Sequence, residues 1–249
     1  MKILFKNELL KLKREKFIWF LLALNLLPIT MNIINYIVNS KDSNIKDVYF
    51  IFYNQYFMFF PIIVGILVSS VFYIEYKNGT YLNWITYNFS KNKLFWAKII
   101  TASFCLFLLA ALNYILLLIY GIVIDWGKES LIKNIVDITI SYLIMTFSLS
   151  VPILLLSTIV MVWSRNIVIC SIISIVFSLF SMILIAAPFA YTIFSTFSYR
   201  LGLYIIDKDY YFDNTMSATI VGSIAWCSTI LILYCLYVFF TSRKLIIEK

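Results

Sequence analysis

The sequence predicts an all-α polytopic membrane protein: six transmembrane helices, an N-terminal interfacial helix, and a short helix laid crosswise between the second and third spans. Three observations predict it. Hydrophobic residues make up 63% of the chain and charged residues 13%, with a mean hydropathy of +0.94; soluble domains sit near 45–50% apolar and about 25% charged. Apolar runs of about 20 residues recur along the chain, the length that crosses ~30 Å of hydrocarbon at ~1.5 Å per residue. Basic residues concentrate in alternate connecting segments, as insertion bias requires. No polar stretch is long enough to fold alone, so residues 1–249 read as a single transmembrane domain.

The elements follow in order. Residues 1–16, MKILFKNELLKLKREK, set Ile3, Phe5, Leu9 and Leu12 roughly on one helical face, with Lys and Arg elsewhere. That is the pattern of a helix lying in the interface; a basic anchor that only sets orientation is the plainer alternative. The apolar run behind it is longer than a signal-peptide core and no small-x-small site closes it, so a retained anchor is expected. Spans are predicted at 17–38, 49–74, 94–124, 138–162, 167–191 and 217–240. Only Trp163-Ser164-Arg165-Asn166 separates the fourth from the fifth, and Arg165 is costly in mid-membrane, which predicts a tight interfacial turn. Pro28, Pro61, Pro152 and Pro188 are all expected within spans, as tolerated kinks. Asn25, Asn32, Asn35 and Asn113 are expected to hydrogen-bond between helices. Cys105, Cys170, Cys227 and Cys235 fall in apolar runs without CxxC spacing and read as small core hydrophobes.

Charge then sets the sides. The N-terminal tail, Lys77, Lys91, Lys93, Lys98, Arg165 and the C-terminal tail carry most of the 20 basic residues on one face, predicted cytoplasmic. Asp42, Asp47, Asp125, Glu129, Asp137, Asp207, Asp209 and Asp213 gather on the other. Insertion bias and attraction to anionic lipid explain the net charge of +8, with no nucleic-acid partner required.

Several function classes lose support. The chain has no His, no phosphate loop, no H-E-x-x-H and no G-x-S-x-G. No ATP site or catalytic constellation is therefore expected, and a membrane enzyme is disfavoured. The spans contain no acid–base relay at their centres, which argues against an ion-coupled pump. Uphill movement of a substrate would then draw its energy from a partner.

Residues 73–98, YIEYKNGTYLNWITYNFSKNKLFWAK, are too rich for a passive connector. Gly79 is placed to end the second span in a left-handed cap, and Thr80 to start a new helix. Residues 81–87 make about two turns, with Tyr81, Trp84 and Ile85 on one face. Ser90 is placed to cap the third span, with Lys91, Lys93 and Lys98 at the lipid headgroups. A short helix held between capped turns would act as a lever on both spans.

An acid near the end of the second span, then Gly-Thr, a short helix, a basic turn and a Lys entering the third span resembles the ABC type-2 exporter permeases; the matching residues are Glu75, Gly79, Thr80 and Lys98. The start, NELLKLKREKFIWF, is similar to that family's interfacial helix. Size and the absence of a large outer domain resemble the small permeases of bacteriocin and lantibiotic immunity transporters.

The resemblance implies a mechanism. Two permease subunits, identical or sister chains, would sit in lipid on two ATP-binding-cassette ATPase subunits, which carry the ATP and Mg; this chain would bind no cofactor or metal. Thr80, Tyr81, Trp84, Ile85 and Tyr87 would form the coupling helix seated on the ATPase. Glu75, Gly79 and Lys98 would form the lever junction, Glu75 pairing with a base of the N-terminal helix; an ordinary interfacial acid is the alternative. The substrate would be an amphipathic peptide or another hydrophobic molecule, expelled outward from a bacterial cytoplasmic membrane. The last outward loop, STFSYRLGLYIIDKDYYFDN, residues 195–214, holds Tyr204, Asp207, Asp209, Tyr210 and Tyr211. It reads either as an interfacial aromatic belt or as a re-entrant outer gate. A non-transporting membrane protein that sequesters a peptide or scaffolds a complex shares every compositional feature, and need of an ATPase partner separates the two.

Overall fold

The computed structural model describes residues 1–39, 44–77, 79, 91–128 and 130–244. Within them the chain is helical: α1 (Lys2–Lys13), α2 (Phe17–Asn39), α3 (Ile45–Lys77), α4 (Lys91–Ile124), α5 (Leu131–Ser164), α6 (Ile167–Leu184), α7 (Phe194–Ile206) and α8 (Thr215–Lys244), with short 3-10 turns at Ala190–Thr192 and Lys208–Tyr210. Among the described residues α2, α3, α4, α5, α6 and α8 are long and apolar enough to cross a membrane. The segment read as a crosswise helix, residues 80–87, and Ser90 lie outside the described residues.

α3 is the central post, packed by α2, α4, α5 and α6. Tyr49, Phe52, Tyr53, Tyr56, Phe57 and Phe60 all lie in the interior. They stack down one helix and against Tyr142 of α5, with Phe52 and Tyr56 rings 5.5 Å apart and Tyr56 and Tyr142 rings 5.2 Å apart. Lipid tails are as apolar as these rings, so exclusion from water does not drive this packing; dispersion and buried hydrogen bonds do. Tyr49 bonds Ser141 at 3.0 Å and Tyr142 donates to the Ala110 carbonyl at 2.9 Å. The interhelical bonds expected of Asn25, Asn32 and Asn113 are formed: Asn32 donates to Val48 O at 2.8 Å, Asn25 to Leu109 O at 2.9 Å and Asn113 to Asn25 O at 2.8 Å.

The turn between the fourth and fifth spans is as tight as expected. Arg165 ends α5 in the left-handed region (φ 52°) and Asn166 caps α6 by accepting from Val168 N at 2.8 Å. The Arg165 guanidinium lies over the Tyr76 ring at 5.9 Å, so this turn and the end of α3 share the face that carries α1, called here the near face. At the far face Asp125 is fully buried and accepts from Lys128 Nζ at 2.7 Å and from the Ile45 amide at 3.3 Å. It thereby satisfies an orphan N–H at the start of α3 and places a negative charge at that positive helix end.

Two expectations need correction. The fifth span ends at Leu184, not 191, and Pro188 lies in the following turn rather than inside a span; the residue before a proline avoids helical geometry, which stops the helix early. The stretch 195–214 is not a loop: most of it is α7, which buries Ser195, Thr196, Phe197, Ser198 and Tyr199. Gly202 lets α7 approach α3, since a Cβ there would meet Tyr53 Oη at 2.1 Å. The stripe of α1 buried inside the protein is Leu4, Glu8 and Leu12, and Ile3 of the apolar face is exposed, as an interfacial helix allows.

Candidate functional site

Glu8 sits in the middle of that stripe because Leu4, Glu8 and Leu12 follow i, i+4, i+8 on one helical face. Packing of α1 on α4, with Phe5 and Phe104 edge to face at 5.6 Å, pushes a carboxylate into the protein. The ion cluster around it draws on three elements. Lys98 Nζ, 1% exposed, lies 2.8 Å from Glu8 Oε2 and 2.9 Å from Glu75 Oε1. Lys11 Nζ lies 2.6 Å from Glu8 Oε1 and 2.8 Å from the same Glu75 Oε1. Two acids and two bases thus close a neutral ring joining α1, the end of α3 and the start of α4.

The surroundings are apolar. Lys98 also donates to the Val71 carbonyl at 3.3 Å and stands 5.7 Å from the Phe72 ring centre. Phe95 packs on Phe72 and on Tyr237, both at 5.0 Å, which brings α8 to the same junction. Buried ions lose hydration and are tolerated only when close partners compensate. Lys11, 42% exposed, is the cluster's solvent-facing member. Burial alone would lower its pKa, but hydrogen bonds to Glu75 and Glu8 outweigh that and hold it above its ordinary 10.5. Among the described residues Glu75 Oε2 is buried without a hydrogen-bond partner.

Glu75 does pair with a base of the N-terminal helix, Lys11. Lys98 is not at the headgroups, as sequence placed it, but inside the protein; its partner Glu8 is 90 positions away in sequence. Sequence reasoning does not single out Glu8, although an acid centred on an apolar i, i+4 stripe is a readable signal. Gly79 has φ +64° and donates to Tyr76 O at 3.3 Å, the left-handed stop expected after α3. Residues 80–90 are therefore bracketed by Glu75 on one side and Lys98 on the other. Thr80, Tyr81, Trp84, Ile85 and Tyr87 lie outside the described residues. The arrangement ties α1, the end of α3 and the start of α4 together by charge.

At the far face the five outer-gate residues divide. Asp207 and Tyr210 line an open cavity of about 590 Å³ with Asp47, Lys46 and Phe50. Tyr210 stacks on Phe50 at 4.7 Å, and Asp207 caps the 3-10 turn by accepting from the Asp209 amide. Tyr204 and Tyr211 pack on each other at 4.9 Å instead. Asp209 is exposed.

A family model described as "ABC-2 family transporter protein" matches residues 4–181. No curated protein matches the chain, and no solved structure does. The matched stretch runs from the first buried residue of α1 into α6 and holds all four members of the ion cluster. The match over most of the chain, with six apolar helices long enough to span a membrane, places this chain in the ABC-2 family of transporter proteins, the membrane permease components that work with an ABC ATPase.

Proposed function

We propose that this chain is the permease of an ATP-driven exporter that expels an amphipathic peptide, of the bacteriocin or lantibiotic kind, or another hydrophobic molecule. The observation that carries the reading is the ion cluster bracketing residues 80–90. Force applied to that segment by an ATPase reaches α3 through Glu75 and α4 through Lys98. Both are locked to α1, so the three helices move as one body. Thr80, Tyr81, Trp84, Ile85 and Tyr87 supply the aromatic grip for the ATPase. A second permease, identical or a sister chain, completes the transporter in a lipid bilayer, with the near face and both termini cytoplasmic in a bacterial membrane.

The outward direction follows the family resemblance, and the substrate class rests on the far face. Its cavity couples a stacked Phe50–Tyr210 wall to the carboxylates of Asp47 and Asp207. That mixture suits a molecule with an apolar body and a cationic group. ATP and Mg belong to the ATPase subunit.

The test is affinity capture of the tagged chain from native membranes in mild detergent. An ATPase is expected with wild type and is lost with Trp84→Ala/Ile85→Ala, while abundance in the membrane is unchanged. Equal ATPase recovery by wild type and variant would remove residues 80–87 from the contact. Recovery of none by folded wild type would remove the exporter reading and favour a sequestering protein.

A further inference from the structure

The elbow between α1 and α2 borders an apolar groove of about 190 Å³. Its floor is Leu12, Leu21 and Leu67, all buried; its rim includes Cys105, Leu108 and Leu112 of α4, the two leucines being exposed. α2 and α4 run in the same direction, with Asn25 level with Leu109, so the groove begins at the elbow and runs toward the membrane centre. The geometry of such a groove leaves its lining side chains short of dispersion contacts from the protein itself. A flexible hydrocarbon chain entering from the lipid side restores them.

Basic residues close in sequence to the groove-lining Leu12 and Ile18 select the headgroup. Lys13 ends α1 directly after Leu12, and Lys16 precedes Phe17 and Ile18 at the start of α2. Both lysines are exposed, and neither has an ion-pair partner among the described residues. The other two elbow residues, Arg14 and Glu15, line a different pocket with Lys11 and Ile74. Trp19, exposed one turn further on, marks the interfacial depth.

We infer that this elbow is a binding site for one anionic phospholipid of the near-face leaflet, its acyl chain in the Leu12–Leu67–Cys105 groove and its phosphate on Lys13 and Lys16. The inference rests on α2 and α4 spanning the membrane and not on which substrate is exported.

The test is native mass spectrometry of the detergent-purified full chain with equal amounts of phosphatidylglycerol and phosphatidylcholine. Wild type is expected to retain phosphatidylglycerol preferentially, about thirtyfold for two lysines near a membrane surface. Lys13→Gln/Lys16→Gln abolishes the preference but still retains some lipid of either kind. Cys105→Trp, which fills the groove, loses both lipids; the lysine variant stands as the arm that does not depend on core repacking. Equal retention of the two lipids by wild type would overturn the site, as would an undiminished preference in the lysine variant.

Discussion

Removal of the Lys98 charge is the sharpest perturbation the near-face junction offers. Lys98 is the only member of the ring with 1% exposure, and it touches both carboxylates, at 2.8 and 2.9 Å. Lys98→Met leaves Glu8 and Glu75, both nearly buried, sharing the half-exposed Lys11. Breaking a buried ion pair from one side costs about 3–5 kcal/mol, because the remaining charge stays desolvated. Lys98→Met/Glu75→Leu removes one charge of each sign and leaves the Glu8–Lys11 pair at 2.6 Å. Replacing a buried ion pair by apolar groups is often neutral in stability, so the double variant is expected within about 1 kcal/mol of wild type. With Lys98→Met alone costing about 3–5 kcal/mol and the double variant within about 1, the coupling energy in the cycle is at least about 2 kcal/mol for any destabilising Glu75→Leu. Titration into denaturing detergent from mixed micelles measures all four stabilities, with export measured in parallel. Additive effects, with coupling under about 0.5 kcal/mol, would refute the neutral-ring argument. Regained stability with export still lost is the expected outcome, because the double variant folds but no longer ties α3 to α4 by charge.

Three further outcomes are expected. At Gly79 a Cβ would meet no atom of the described residues within 4 Å, so the backbone conformation decides; Gly79→Asn is expected to be nearly silent, while Gly79→Val, strained by about 1–2 kcal/mol in the left-handed region, loses export at normal membrane abundance. Gly202→Ala is expected to lower thermal stability by about 1–3 kcal/mol through overpacking, and Tyr53→Phe, which removes the oxygen lying 2.1 Å from the new Cβ, should recover part of that loss in the double variant. Lys11 has a raised folded pKa, so its contribution is fully present below 10.5 and is lost as pH rises above that value; the melting-temperature gap between wild type and Lys11→Met is expected to stay constant from about pH 7 to 10 and to close only above 10.5, and a gap that closes near neutral pH would remove the ion pairing as its cause.

The six spans were legible because crossing a bilayer demands a long apolar run, and that demand is written residue by residue. The turns at Gly79 and Arg165 were legible for a similar reason: a left-handed stop and a charge expelled from hydrocarbon are local requirements. Lys98 was not, since a lysine near a span end reads as a headgroup contact until an acid from another helix is known to meet it. α7 was hidden by its own composition. Ser195, Thr196 and Ser198 look like loop residues, yet inside the bundle their hydroxyls are satisfied: Ser195 with Ser181 at 2.9 Å, Thr196 with Ala190 O and Ser198 with Phe194 O at 2.7 Å. Tyr53 in turn donates to Tyr199 O at 2.9 Å and pins the helix to α3.

Sequence by itself determined the class of the molecule, the number and order of its spans, and the distribution of charge between its two faces. These follow from the cost of exposing polar groups to lipid, which acts on each segment separately. Only the tertiary structure decided that α3 is the post around which the others pack, that Glu8 joins Glu75, Lys11 and Lys98 in one ring, and that α7 is a buried helix. Each depends on which side chain meets which across tens of residues of chain, and a buried charge or hydroxyl is affordable only once its partner is in place.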